Sequence, residues 1–377
     1  MNKKIRLLQV IPNMGSGGAE MGCKHIAEYT SKVSEFSSIM TSGGSQLASI
    51  NKDVKIFKWP TSKNIFYIIL NIFYIFFLIL KYKINIVHVR SRGPAWSCYV
   101  ACKLSKTKLV STFHGTYNFK FSIKKHYNSI MLKSDHVIAG SDFIYNHIKL
   151  NYKLNNNINV IKRGIDENYF DLSNIKKAET EKLRKKMGFS SENFLVLLPG
   201  RLTGWKGQKL FIESAIYLKS QDKLSNIFFI ILGDSQGRDG YENSLRELIE
   251  SNNMVDKIRI LKPMENMPLA YAFCNLVVSA SIEPEAFGRV SVEAQAMKKP
   301  ILASAIGGSI ETINHEKTGW LFTSNNKEEL ANNIYNISKM DQSALQSIAI
   351  EARKNVIENY TKDQMCLKTL EIYQSLV

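Results

Sequence analysis

The feature that most constrains this chain of 377 residues is the run at positions 276–300, LVVSASIEPEAFGRVSVEAQAMKKP. Leu276, Val277 and Val278 form an unalternated apolar stretch, the pattern of a strand buried on both faces of a parallel sheet. Pro284 and Gly288 interrupt regular structure. From Arg289 onward, Val290, Val292, Glu293, Ala294, Ala296 and Met297 fit a helix that stops before Pro300. A strand feeding such a loop leaves unpaired N–H groups and the positive end of a helix dipole at the strand's carboxyl end, where open α/β sheets bind anions. Glu285 and Glu293 flank that position. A carboxylate is a poor phosphate ligand but a good acceptor for sugar hydroxyls, so the pair points to a phosphorylated sugar. Taken by themselves, Glu285 reads equally as a solvated loop residue and Glu293 as a first-turn acid complementing the dipole.

The length exceeds one ordinary core and predicts two domains. With 45% hydrophobic and 22% charged residues the chain is a folded globular protein. Cys23, Cys98, Cys102, Cys274 and Cys366 are scattered and read as reduced core residues. Cys98 and Cys102 lack the second pair that a zinc site needs, and no metal is expected. The start, MNKKIRLLQVIPNMG, runs directly into a short strand without a signal-peptide pattern, so the expected compartment is the cytoplasm. Charge is uneven: positions 1–180 hold 26 Lys and Arg against 10 Asp and Glu, while the whole chain nets +17. A basic first half predicts an anionic partner, and nucleic acid and an anionic membrane both qualify.

Residues 5–11 predict a strand, followed by the glycine loop from Gly15 through Gly17 and Gly18 to Glu20 and then a helix. The third glycine of a dinucleotide fingerprint is missing. Residues 65–80, IFYIILNIFYIFFLIL, are the most apolar run. The run is short for a bilayer span and contains Asn71, so it predicts a helix packed on a sheet. Its all-round apolarity exceeds that role and suggests partial contact with lipid. Strands at 84–89 and 108–113 end in Arg90, Ser91, Arg92 and in His114-Gly115. Strands at 137–140 and 159–163 follow, the latter leading to Gly164-Ile165-Asp166 and Phe170. Residues 171–193 are polar and lysine-rich and read as a linker with its first helix. A strand at 194–198 opens into Pro199-Gly200-Arg201-Leu202-Thr203-Gly204-Trp205-Lys206-Gly207, where Arg201 and Lys206 can address one diphosphate. Further strands end at Gly233-Asp234 and at Lys262-Pro263; Gly307-Gly308 and Thr318-Gly319-Trp320 come later. Alternating strands and helices predict two doubly wound domains.

The Glu285-to-Glu293 step around Phe287-Gly288, together with the Gly200-Arg201…Lys206-Gly207 string, resembles the signature of the retaining, nucleotide-sugar-dependent glycosyltransferases of family 4. The resemblance runs from about residue 5 to 373. It implies a GT-B fold: two Rossmann-like domains with parallel sheets facing across a cleft, at 1–170 and 171–358, with a last helix at 359–377 returning to the first. It further implies a donor site of Gly17, Gly18, Arg201, Lys206, Gly233, Asp234, Lys262, Glu285, Ala286, Phe287, Gly288, Val290 and Glu293. Arg201 and Lys206 would hold the diphosphate, Glu293 the ribose and Glu285 the sugar. His114 would point at the donor sugar and count with Glu285, Arg201 and Lys206 as catalytic, and Arg90, Arg92 and Glu20 would lie on the acceptor side. The implied reaction is metal-independent transfer of a hexose to a lipid-linked or envelope glycan of the lipopolysaccharide type. The charge and the apolar run place the enzyme at the inner face of the plasma membrane. Three rival readings are an NAD-dependent oxidoreductase, a catalytically silent scaffold of the same fold and a nucleic-acid-binding protein. The first lacks the glycine fingerprint, the second would be expected to lose a charged site residue, and the third lacks an organised stacking platform, so no nucleic acid is expected.

Overall fold

The computed structural model describes residues 4–15, 17–61, 64–117, 122–153 and 157–377. The chain forms two compact units. The first is Met1–Gly164 with Lys362–Val377, and the second is Ile165–Thr361.

In the first unit, β1 (Arg6–Val10), β2 (Phe36–Thr41), β3 (Lys55–Lys58), β4 (Ile86–Val89), β5 (Lys108–Phe113), β6 (His136–Ala139) and β7 (Asn157–Val160) form a parallel sheet in the order β3-β2-β1-β4-β5-β6-β7. In the second, β8 (Phe194–Pro199), β9 (Ile227–Leu232), β10 (Ile258–Leu261), β11 (Leu276–Ser279), β12 (Ile301–Ser304) and β13 (Trp320–Phe322) run in the order β10-β9-β8-β11-β12-β13 and are also parallel. The strand order reverses direction between β1 and β4 and between β8 and β11. Those are the points at which loops diverge from the sheet edge and leave room for a ligand. Both sheets are the doubly wound Rossmann-like form that the alternating pattern predicts.

Strands β2 and β3 were not expected. β2, FSSIMT, is buried despite its hydroxyls because Ser37 donates to the Ala27 carbonyl at 2.8 Å and Ser38 to the Leu7 carbonyl at 2.8 Å. The unit boundaries also correct the expected ones at 170/171 and 358/359. Ile165 bridges to Thr361, Phe170 packs edge-on to Tyr271, and Arg353 donates to the Phe170 carbonyl and to Asp171 at 2.6 and 2.7 Å. These bonds tie residues 165–170 into the second unit. The lysine-rich segment read as a linker likewise belongs there, with its helix at Lys177–Lys186.

The apolar run forms the helix Ile65–Tyr82. It packs against the helix Arg92–Ser105 rather than mainly on the sheet, and Ser97 donates to the Ile68 carbonyl at 2.8 Å. Asn71 is buried and accepts from the Trp59 indole at 2.8 Å, which explains a polar residue inside the run. Among the described residues no helix is long and apolar enough to cross a membrane. All five cysteines are buried and unpaired.

The last helix, Lys362–Leu376, returns to the first unit as expected, and Met365, Cys366, Leu370, Ile372 and Tyr373 join Leu7, Ile26, Ile86 and Val110 in one core. Its polar pin is His88, whose Nδ1 meets the Tyr373 hydroxyl at 2.5 Å and whose Nε2 meets Thr112 Oγ1 at 2.7 Å. Burial, then the charge of Arg90, holds the His88 imidazole well below its ordinary pKa, so it stays neutral. Replacing Tyr373 by Phe strands a buried ring nitrogen. The expected loss is about 1–3 kcal/mol of stability, read from urea unfolding of the full chain. An unchanged midpoint would show that the helix is held by apolar contact without this bond.

Candidate active site

In the second unit, close backbone approaches gather the loops at the carboxyl edge of the sheet. Gly207, at φ +74°, precedes the helix Gln208–Ser220, and a Cβ there would fall 1.8 Å from the Ala280 carbonyl oxygen at the end of β11. The Ile282 amide then donates to the Trp205 carbonyl at 2.9 Å, locking the two loops together. On the other flank a Cβ on Gly308 would meet the Phe287 backbone at 2.4 Å, while the Gly308 amide donates to the Glu285 carbonyl at 2.8 Å. Phe287 is buried against Tyr360.

These contacts bring Lys206 and Glu285 together. Lys206 Nζ lies 2.7 Å from Glu285 Oε1, and Ser281 Oγ donates to the same oxygen at 2.5 Å. Burial pushes the Glu285 carboxyl up, but Lys206, Ser281 and Arg201 outweigh it and hold the group below the usual carboxylate range. Arg201 is exposed above the Trp205 ring at 5.9 Å, and among the described residues no carboxylate pairs with it. Of the two cations expected to address a diphosphate, Lys206 is thus ion-paired with Glu285.

Glu293 is 6% exposed, in the helix Arg289–Ala296 that Gly288 begins. Its carboxylate accepts from Tyr271 Oη at 2.7 Å and from Arg289 Nε at 2.6 Å. The carboxylate read as an open ribose acceptor is thus engaged on both oxygens, with one lone pair left on each. Ala286 and Val290 are half-buried beside it. Gly233 lies against the Gly200 carbonyl, exposed Asp234 closes its own turn by accepting from the Gln236 amide at 2.9 Å, and Lys262 is exposed past β10.

In the first unit, His114 follows β5. Arg163 Nη2 donates to His114 Nδ1 at 2.7 Å and to the His114 carbonyl at 3.1 Å. A guanidinium only donates, so Nδ1 must be the acceptor and the proton of the neutral ring sits on Nε2. Burial and then the charges of Arg163 and Arg90 keep the ring well below its ordinary pKa. Arg92 donates to Asn128 Oδ1 at 2.7 Å and lies 4.3 Å from the Tyr117 ring centre; Arg90 is buried on Gln9. Gly17 precedes the helix Gly18–Val33, and the Glu20 carboxylate turns back to where a Gly17 Cβ would stand, occupying the helix end expected to face phosphate. Ser16 lies outside the described residues.

Arg163, Gln9, Ser281 and Tyr271 were not foreseen. Arg163 carried a usable signal, a cation directly before the Gly164-Ile165-Asp166 strand end, whereas Gln9 and Tyr271 read as ordinary core.

The family model described as Glycosyltransferase Family 4 matches residues 16–169, and that described as Glycosyl transferases group 1 matches residues 179–363. A crystal structure of a glycosyltransferase from Rickettsia africae ESF-5 is 38% identical, covers 99% of each chain and superposes with a TM-score of 0.91. Anabaena Alr3699/HepE, solved with UDP and glucose, superposes at a TM-score of 0.85 with 22% identity, over 98% of this chain and 100% of that one. The chain belongs to the family 4 glycosyltransferases of the GT-B fold. Among curated relatives, a D-inositol 3-phosphate glycosyltransferase of Corynebacterium glutamicum (strain R) is 28% identical over 166 residues. That match covers 44% of this chain and 39% of the relative, so the chain spans well under two thirds of that protein.

The Lys206–Glu285 pair sets a stability test. Lys206→Ala leaves a buried carboxylate without its cation, and Glu285→Gln leaves a buried ammonium. Each single change is expected to cost about 2–4 kcal/mol, and the double variant less than their sum. Because the folded Glu285 carboxyl titrates below its ordinary 4.5, the pair's contribution is complete above that pH and is lost as pH falls through the folded value. Acid unfolding curves of wild type and Glu285→Gln should converge at low pH; parallel curves would mean the pair contributes nothing.

Proposed function

We propose that the chain is a retaining, metal-independent hexosyltransferase that takes its sugar from a nucleoside diphosphate sugar and delivers it to a membrane glycolipid of the lipopolysaccharide type. The observation that carries the donor reading is the unpaired Arg201 beside the Lys206–Glu285–Ser281 cluster at one sheet edge. An incoming diphosphate supplies the counter-charge that Arg201 lacks and competes with Glu285 for Lys206. The UDP and glucose held by the Anabaena relative support the same class of donor. In the proposed step the bond between the anomeric carbon and the diphosphate oxygen breaks, and its electron pair leaves on the phosphate. The acceptor hydroxyl bonds to that carbon from the same face, and its proton passes to the departing phosphate oxygen. Arg201 and Lys206 stabilise the developing charge.

The glycolipid reading rests on one helix. Phe66, Ile69, Leu70, Phe73, Phe77 and Leu80 follow helical spacing along one face of Ile65–Tyr82 and are exposed, Phe66 by 62% and Phe73 by 68%. Exposed Lys58, Lys81 and Lys83 lie close to it in sequence. The first unit holds 26 Lys and Arg against 8 Asp and Glu, and the second 24 against 25. Two such first units repel each other, which disfavours a second copy as the cover, while an anionic bilayer gains about 1 kcal/mol for each basic residue near it. The surface matches an interfacial helix lying in the headgroup plane.

Arg201→Ala should leave the melting curve unchanged while lowering turnover roughly 10²- to 10³-fold. Thermal shifts with UDP, GDP and ADP and their sugars identify the donor, and EDTA should not alter the rate. Failure of every nucleotide to bind, or restoration by Mg²⁺ of activity lost to EDTA, would overturn the corresponding part. For the membrane, wild type should float with anionic vesicles at low salt and less at high salt, and a variant with Ser at Phe66, Phe73 and Phe77 should not. Wild type that stays in solution at low salt would leave a soluble acceptor.

A further inference from the structure

A concentration of positive charge lies at the amino edge of the first unit's sheet, at the other end of the strands from His114. A cavity of about 530 Å³ there has Lys103, Lys106, Lys108, Lys133, Tyr99 and Asp135 in its walls. They come from the end of the helix Arg92–Ser105, the start of β5 and the turn before β6. Among the described lining residues, four ammonium groups thus share one carboxylate, and that carboxylate is already engaged. Asp135 Oδ2 accepts from the Leu109 amide at 2.9 Å, and Oδ1 lies 3.6 Å from Lys108 Nζ. Among the described residues no carboxylate pairs with Lys103, Lys106 or Lys133.

Tyr99 draws two of these cations together, with Lys103 Nζ 5.8 Å and Lys133 Nζ 5.6 Å from its ring centre. The face of the ring attracts each ammonium but does not relieve the repulsion between them. Lys106 ends its helix at φ +57°, a left-handed position where glycine is the usual residue. The negative end of that helix accounts for cations at Lys103 and Lys106. It does not account for Lys108 and Lys133, which reach the same cavity from other elements. The surroundings add apolar surface. The helices Ile65–Tyr82 and Arg92–Ser105 pack together and lead into β4 and β5, which pair from Ile86 with Lys108, so both helices end at this edge. Leu104, next to Lys103 in sequence, is 65% exposed, and Phe77 and Leu80 are exposed near the end of the neighbouring helix, with Lys81 and Lys83 beside them.

We propose that this cavity binds a phosphate monoester, whose terminal oxygens Lys103, Lys106 and Lys133 share. A monoester carries close to two negative charges at neutral pH, so it answers an excess that a single carboxylate or a phosphodiester would leave in part. Among the described residues no arginine lines the cavity, so the planar two-point fork that suits a carboxylate is missing, whereas mobile ammonium groups suit a tetrahedral anion. The exposed Leu104, Phe77 and Leu80 favour the headgroup of an anionic lipid over free phosphate as the source. Such a lipid is an anchor and not the acceptor, because it sits at the amino edge of the strands whose carboxyl edge carries His114. Only the lipid source depends on the membrane reading above; the anion site stands without it.

The test is isothermal titration of the full chain at fixed ionic strength with three soluble probes: glycerol 3-phosphate, dihexanoyl phosphatidic acid and dihexanoyl phosphatidylcholine. Saturable binding of phosphatidic acid is expected, at least tenfold tighter than that of phosphatidylcholine. A variant combining Lys103→Gln, Lys106→Gln and Lys133→Gln should lose at least tenfold in affinity. A control combining Lys32→Gln, Lys52→Gln and Lys149→Gln removes the same charge outside the cavity and should bind as wild type does. Absence of saturable binding of either monoester, equal binding of phosphatidylcholine, or equal losses in the two variants overturns the site. Glycerol 3-phosphate bound as tightly as phosphatidic acid keeps the site and removes the lipid source. Flotation with phosphatidic acid vesicles separates this site from the membrane reading. Monoester binding by a chain that does not float keeps the cavity and removes that reading, and flotation of a chain that binds no monoester does the reverse.

Discussion

A parallel sheet brings the carboxyl ends of all its strands to one edge, so residues far apart in sequence meet there without any long-range design beyond the crossovers. Both units depend on that constraint. Lys206 and Glu285 are 79 residues apart yet 2.7 Å from each other because β8 and β11 are neighbours and Gly207 allows backbone to touch backbone at Ala280. Arg90 and Gln9, 81 residues apart, meet because β4 and β1 are neighbours in the other sheet.

The two edges differ in how their charge is settled. In the second unit, Lys206 has Glu285 and Arg289 has Glu293, which leaves Arg201 as the cation most open to a ligand. On the proposed donor reading, a diphosphate entering there would compete with carboxylates already in place, so its gain would be the difference between two ion pairs and not the full energy of one. In the first unit Arg90 is buried on a neutral amide.

Much of this was legible in the sequence. The apolar runs at 194–198 and 276–278 and the glycine-bounded loops after them specify strand, turn and helix locally, so the second unit could be read almost element by element. Of the strands that escaped notice, β2 is rich in hydroxyls and its burial is made tolerable by tertiary acceptors, the Leu7 and Ala27 carbonyls, while β3 is a short edge strand with lysines at both ends. Site residues divided in the same way. Arg201, Lys206, Glu285 and Glu293 sit beside glycines or at a helix start, where local pattern marks them. Gln9 sits in an apolar strand and Tyr271 among core residues, and their roles follow from partners 81 and 22 residues away. The pairing of Lys206 with Glu285, unlike the presence of both, could not be read from spacing.

The fixed tautomer of His114 bears on where a proton can go. With Nδ1 accepting from Arg163 and Nε2 carrying the hydrogen, the neutral ring has no lone pair to offer a hydroxyl, and its depressed pKa keeps it from donating as an imidazolium. Glu285 is no better a base, because Lys206 and Ser281 hold its carboxylate below the usual range. The two side chains that sequence alone would nominate for proton transfer are therefore both tuned against it, and for opposite reasons: one by losing its acceptor, the other by losing its basicity. On the proposed donor reading, a hydroxyl attacking an anomeric carbon at the second unit's sheet edge would need an acceptor other than Glu285 for its proton, and the departing phosphate oxygen, gaining charge as the bond breaks, is the group whose basicity rises at the moment of need. That suits the same-face displacement proposed above, in which the leaving group serves as base and Arg201 and Lys206 would stabilise charge without moving protons.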